Sequence, residues 1–299
     1  MINVNISYDY YKVFYYVAKH KTITQAAQEL LSNQPNVSKA IRNLENQLGC
    51  ALFARSHRGV QLTEAGERLY AHVRIAFDQL SQAEQELRLD ASGGVINIGA
   101  SETALHGALL PVLKRFQAGH PQVRCCIRND TNQQTTQALL DGEADIALVT
   151  SPVSLPGSVR RTSLGSFQEL LVGGRQFAAL AQGAHTLREL TQYPWIGLRR
   201  GTQTHAWHAQ LFLREQLIYR PDVEAATAAQ LLPLLLHQLG IGFIPQFFAA
   251  EALAAGELVV IPLQSDWPRR QIYLLEDTAR PLSRWAEPLR QLLLESAQA

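Results

Sequence analysis

Residues 32 to 45 read SNQPNVSKAIRNLE, and their spacing separates two kinds of side chain. Val37, Ile41, Leu44 and Leu48 recur every three or four positions, the mark of one apolar helical face. The opposite face carries Asn36, Ser38, Lys39, Arg42 and Asn43, amides, hydroxyls and cations that can reach base edges and phosphates. Pro35 stands where such a helix would begin. Proline suits a first helical turn because φ is already fixed and the missing amide hydrogen has no partner there.

A second set of polar groups falls between residues 91 and 299. Ser101, Glu102 and Thr103 follow VINIGA, and Thr150 and Ser151 follow DIALV. Gly201 and Thr202 precede a helical stretch, and Phe243 to Gln246 close GIGFI. In α/β sheets, ligands sit beyond the carboxyl ends of strands, where helix N-termini present free amides. Any one of these hydroxyls could be a routine helix cap. Their coincidence at four strand ends points to a cleft for a small molecule, with Ser101, Glu102, Thr103, Thr150, Gly201, Thr202 and Phe243 as its candidate contacts. The neutral donors, together with Arg199 and Arg200, favour an anionic metabolite.

Other chemistry is poorly supported. His205 and His208 stand three apart with no Cys or acid at matching spacing, so no metal is expected. Cys125 and Cys126 alternate across a strand and suit packing better than joint chemistry. There is no Gly-rich phosphate loop, catalytic carboxylate pair or nucleophile elbow, so neither cofactor nor enzymatic activity is expected.

The elements that must carry these groups can be read from the same sequence. Tyr10, Phe14 and Val17 define a first helix that ends near His20. Thr24 opens a second through AAQELL, with Thr22 as an alternative start, and the Pro35 helix follows a short break. Two helices across so tight a turn form a helix-turn-helix. ALFAR and GVQLT read as two short strands joined through Ser56, His57, Arg58 and Gly59, a basic turn that resembles the wing of a winged helix. From Thr63 to Asp90 a long helix shows Leu69, Val73, Ala76, Leu80, Ala83 and Leu87 in four-three alternation, a coiled-coil seam suited to a second copy of the chain. Packing of that helix on its own C-terminal domain is the alternative.

ASGG at 91 to 94 breaks the composition, and alternating strand and helix segments follow, which argues for two α/β lobes with mostly parallel sheets. A chain of 299 residues with 46% hydrophobic content and net charge +1 can bury a large core. Residues 1 to 60 hold seven Lys or Arg against three acids, a local surplus that suits nucleic acid. Three cysteines, no signal segment and no apolar run of about 18 residues lead to the expectation of a cytoplasmic protein without membrane contact.

The stretches TITQAAQELLSNQPNVSKAIRNLENQLGCALFAR and RGVQLTEAGERL, with LLP at 109 to 111, DGEADIALV and GIGFIP, resemble the LysR-type transcriptional regulators from end to end. The resemblance implies an α/β protein in three parts. These are a winged helix-turn-helix at 1–62, a linker helix for dimerisation at 63–90 and an effector-binding domain at 91–299. Lobe I of that domain is expected at about 91–164 and 268–299, and lobe II at about 165–267, with the chain crossing between them near 163–166 and 264–270. It further implies binding to double-stranded promoter DNA, a small effector between the lobes, and self-association to dimers and tetramers. Gln34, Pro35, Asn36, Ser38, Lys39 and Arg42 fall where the family's recognition helix meets DNA, with Thr24 near the start of the preceding helix. Arg55 and Arg58 fall on its wing. Asn33 stands where the family usually has Ser or Thr, Asn36 where it usually has Ala, and the loop Ser101 to Leu105 is one residue longer than usual. Read without the resemblance, the C-terminal lobes would also suit a solute-binding protein, or an α/β enzyme with a helical dimerisation arm.

Overall fold

A computed structural model describes residues 6–56, 59–88 and 94–298. The chain divides into two compact units, Met1–Asp90 and Ala91–Ala299.

The first unit is a winged helix. Helix α1 spans Tyr8–His20, α2 Ile23–Glu29 and α3 Gln34–Leu48. Each begins at a side-chain cap. Ser7 accepts from the Asp9 amide, Thr22 from Gln25, and Asn33 from Asn36 at 2.9 Å. Thr22 is therefore the cap of α2, and Thr24 lies inside that helix. Asn33 fulfils the capping role that a Ser or Thr would have, since its side-chain oxygen also reaches an orphan amide of the first turn. Phe14, Val17, Ala26, Ala27, Val37, Ile41 and Leu44 form the core with Leu52 and Val73.

Strands β1 (Phe53–Ser56) and β2 (Gly59–Leu62) pair antiparallel as the wing. Gly59 has φ +130°, and a Cβ there would meet the Lys21 carbonyl at 2.4 Å, so only glycine fits the entry to β2. Helix α4 runs from Glu64 to Arg88, about 37 Å at the α-helical rise.

The expected seam on α4 is only partly free. Val73 is buried and Leu69 half-buried in the winged-helix core itself. An aromatic stripe that the four-three pattern did not reveal also faces α1. Phe77 stacks on Tyr15 at 4.6 Å between ring centroids, and Tyr70 lies 6.0 Å from Tyr15. Beyond this contact Ala76 is exposed and Leu80 is 47% exposed. The side chains of Ala83 and Leu87 lie outside the described residues.

The second unit has two sheets. Its elements begin with β3 (Val95–Ala100) and α5 (Glu102–Ala104), then a π turn over Leu105–Leu109 that leads into α6 (Leu110–Gly119). Strand β4 (Arg124–Asn129), α7 (Asn132–Leu140), β5 (Ile146–Thr150) and β6 (Val159–Phe167) complete the first pass. Strand β7 (Glu169–Gly174), a 3-10 turn at Arg175–Gln182, α8 (Leu187–Leu190), β8 (Trp195–Leu198) and α9 (Gln203–Arg214) follow. Next come β9 (Val223–Ala225), α10 (Ala228–Leu236), β10 (Ile241–Pro245), α11 (Gln246–Ala254) and β11 (Leu258–Val260). Strand β12 (Arg270–Asp277) and α12 (Ala286–Gln298) end the chain.

The sheets are ordered β4-β3-β5-β12-β6 and β11-β7-β10-β8-β9. Both are mixed, not mostly parallel. In the first sheet β12 lies antiparallel to β5 and β6; in the second, β7 lies antiparallel to β10 and β11. The reason is connectivity: the chain leaves the first sheet along β6 and returns along β12, so the returning strand runs opposite to both neighbours. The first passage between sheets is the single residue Gln168, slightly later than 163–166, because Val159–Phe167 pairs with β12 along its whole length. The expected loop at Ser101 to Leu105 is instead helical over Glu102–Ala104 and runs into the π turn, where the Leu110 amide bonds the Leu105 carbonyl five residues back. Among the described residues no helix is long and apolar enough to cross a membrane.

Candidate nucleic-acid face and inter-lobe cleft

Burial of Val37, Ile41 and Leu44 turns the other face of α3 outward. Gln34, Pro35, Asn36, Lys39 and Arg42 are exposed, and Ser38 is half-buried. Lys39 and Arg42 join no ion pair among the described residues, so their charges are free for an external anion. Thr24 on α2 is tied to this surface, because Gln34 Nε2 donates to Thr24 Oγ1 at 3.0 Å. The helix is anchored from behind. Asn43 donates to the Tyr10 hydroxyl at 3.1 Å, and Glu45 accepts from the amides of Leu52 and Phe53 at 2.8 and 3.2 Å, which joins α3 to α1 and to the wing. Arg55 lies on β1, paired with Val60. Arg58, the other wing candidate, lies outside the described residues.

In the second unit, a cleft of about 280 Å3 opens between the lobes. Ser101, Glu102, Thr103, Thr150, Gly201 and Thr202 all line it, and so does Arg199. Phe243 does not. Strand β10 continues to Pro245, so residue 243 is mid-strand, and its side chain points with Ile241 into the core around Trp195 and Phe212. There it is 2% exposed and stacks on Trp267 at 3.8 Å. Arg200 is also not among the lining residues.

Polar contacts cross the cleft. Asn132, at the start of α7, donates to the Thr150 carbonyl at 2.6 Å and to Gln203 Oε1 at 3.0 Å, and accepts from the Thr150 amide at 3.1 Å. Glu102 Oε2 accepts from the Ala229 amide of α10 at 3.0 Å. Thr202 caps α9 by accepting from the His205 amide at 3.1 Å.

Behind the cleft, at the two chain passages, lies a buried charged cluster. Arg270 donates from Nη1 to Glu169 Oε1 at 2.7 Å, from Nε to the Ser151 carbonyl at 2.7 Å, and from Nη2 to the hydroxyls of Thr150 and Thr204, each at 3.0 Å. His208 Nε2 lies 3.0 Å from the other Glu169 oxygen. Burial pushes the Glu169 carboxyl up, but the Arg270 charge and the His208 contact outweigh it and hold it down at about 2. Sequence reasoning named Thr150 and missed Asn132, Gln203, Thr204, Glu169 and Arg270. Only the position of Glu169 and Arg270 beside the two passages could have drawn attention to them.

The geometry defines a winged-helix module joined in one chain to a two-lobed domain with a cleft between its lobes. Residues 8–67 match the bacterial regulatory helix-turn-helix protein family of lysR type, and residues 90–298 match the LysR substrate binding domain. YeiE of Escherichia coli K12, an uncharacterised HTH-type transcriptional regulator, is 31% identical over 254 residues, covering 84% of this chain and 85% of its own. IlvY of Salmonella typhimurium, an HTH-type transcriptional activator, is 34% identical over 167 residues, 54% of this chain and 55% of its own. Among solved structures, ArgP of Mycobacterium tuberculosis has a TM-score of 0.73 at 20% identity, covering 97% of each chain, which speaks to the fold. The chain belongs to the LysR family of transcriptional regulators.

Proposed function

We propose that this regulator reads promoter DNA through Gln34, Pro35, Asn36, Ser38, Lys39 and Arg42, with Thr24 beside them and Arg55 and Arg58 on the wing, and that a small anionic metabolite in the inter-lobe cleft alters that binding. It acts by binding alone, without catalysis, as a dimer joined along α4, and pairs of dimers form the tetramer. The observation that carries this reading is the convergence of Ser101, Thr103, Thr150, Thr202 and Arg199 on one cleft behind which the chain passes twice. Two passages form a hinge, and a ligand that touches both walls can favour one lobe arrangement over another.

The test is selection of randomised duplexes on the full-length protein, followed by titration of the enriched sequence at several salt concentrations with a panel of small metabolic anions. A two-fold symmetric sequence should emerge, with affinity that falls steeply with salt and shifts on addition of one panel member. No enrichment over random DNA would overturn the DNA reading. A set of anions that changes neither affinity nor DNA bending would overturn the effector reading.

A further inference from the structure

The N-terminus of α10 faces the cleft from the second lobe, and its own sequence leaves it uncapped. Thr227 is extended and makes no side-chain cap bond. The orphan amides of a first turn need an acceptor, and the helix dipole favours a negative one. The Ala229 amide finds that acceptor 127 residues earlier in the chain, in Glu102 of the first lobe, at 3.0 Å. A carboxylate from one lobe thus occupies the anion position of a helix in the other.

A second feature stands next to it. Ser101 precedes α5 without capping it and is only 7% exposed, and its Oγ has no hydrogen-bond partner although the residue borders the cleft. A buried hydroxyl without a partner is costly unless a ligand supplies one. The guanidinium-bearing Arg199 borders the same space. Glu102 itself is only half-buried, and its flexible stem can swing into solvent.

We propose that Glu102 is the resident anion of the cleft, and that the effector is a small carboxylate or oxyanion that replaces it, taking the Ala229 amide and the Ser101 hydroxyl together. This rests on the cleft being the effector site. Binding is then an exchange of one anion for another. An anion that entered while Glu102 kept its place would be forced against a like charge. Glu102 therefore sets the class of ligand: neutral compounds leave the latch between lobes closed, and anions open it, so that the bound ligand and not residue 102 joins the walls. The difference in contacts between the two states is what lets the ligand shift their populations.

Acetate, the carboxylate head of glutamate without its stem, is the probe. In full-length Glu102→Ala, exchange of the Ala229 amide measured by hydrogen–deuterium exchange should quicken. Acetate, at constant ionic strength with chloride as control, should restore its protection and raise the melting temperature. Wild type should need about tenfold more acetate for the same response, because its seat is filled. Adding Ser101→Ala to Glu102→Ala should weaken the acetate response again. Should Glu102→Ala not fold, Glu102→Gln serves, since it keeps the shape, loses the charge and should likewise bind acetate more tightly than wild type. Equal acetate responses in wild type and variant, or unchanged protection of Ala229, would overturn the proposal. If acetate fails while a metabolite still shifts DNA affinity, the regulator reading stands and the role of Glu102 falls. A positive acetate result in a protein whose DNA binding ignores every anion would leave the latch in place and remove the regulator mechanism.

Discussion

Arg270 meets Glu169 at 2.7 Å with both side chains 2% exposed, and the two residues flank the two passages of chain between the lobes. A pair so buried gains little over an apolar pair when intact, but loses much when one member is removed, because the survivor keeps its charge without a partner. Glu169→Ala should destabilise the second unit by about 3–5 kcal/mol, read as a lower melting temperature of the full-length protein. The double variant Glu169→Leu with Arg270→Met should recover most of the loss. A single variant that melts like wild type would show that the pair does not hold the two passages together.

The same carboxyl sets a pH dependence. Its folded value of about 2 lies below the ordinary 4.5, so its stabilisation is fully present above pH 4.5 and is lost as pH falls toward 2. The pair of values corresponds to about 3 kcal/mol of linkage. Wild type should lose stability steeply through that window, and Glu169→Gln should show a shallower slope there. Parallel slopes for the two proteins would assign the acid sensitivity to other carboxylates.

Arg42 is exposed on the face of α3 opposite Val37, Ile41 and Leu44. Arg42→Ala should weaken binding to the selected duplex and leave the fold and assembly state unchanged. If the residue meets a phosphate, the salt slope drops by about one; if it meets a guanine, discrimination at one base pair falls by about 1–3 kcal/mol. Unaltered affinity and slope would remove Arg42 from the interface.

Leu80 is half-exposed beyond the stretch of α4 that packs on α1, so a charge there costs the single chain little. In a paired seam the same charge would be buried without a partner. Leu80→Glu should therefore sediment as a smaller species than wild type, with the winged-helix melting transition unchanged. An unaltered sedimentation coefficient would place the dimer contact elsewhere.

Legibility in the sequence followed the range of the interaction. The face of Val37, Ile41 and Leu44 was readable because burial at helical spacing is a local periodic signal. The cleft hydroxyls were readable because strand ends are. Phe243 was misplaced because one residue of strand length decides whether a side chain meets ligand or core. Leu69 and Val73 satisfied a coiled-coil pattern while packing in their own domain, since apolar spacing does not name the partner. The stripe of Tyr70 and Phe77, seven apart on the same helix, was hidden by that pattern. Arg270 and Glu169 stand 101 residues apart, and alone each reads as a surface charge. Only the returning course of the chain brings them together.

The π turn at Leu105–Leu109 bears on how the cleft wall is joined to the lobe core. The turn ends at the buried Leu109, and the helix beyond it keeps Val112, Leu113 and Phe116 in the core. The helix before it is rotated by about one residue, near 100°, relative to that core. Of the residues before the turn, Ser101, Glu102 and Thr103 line the cleft while Ala104 is fully buried in the lobe core, so the turn joins a stretch of cleft wall directly to a core helix. Gly107 keeps the turn close to Ile272 and Phe247, where a Cβ would stand 2.8 and 3.0 Å from their side chains. The turn therefore couples wall to core: a change that tightened it to a regular helix would shift residues 101 to 103 against Val112, Leu113 and Phe116.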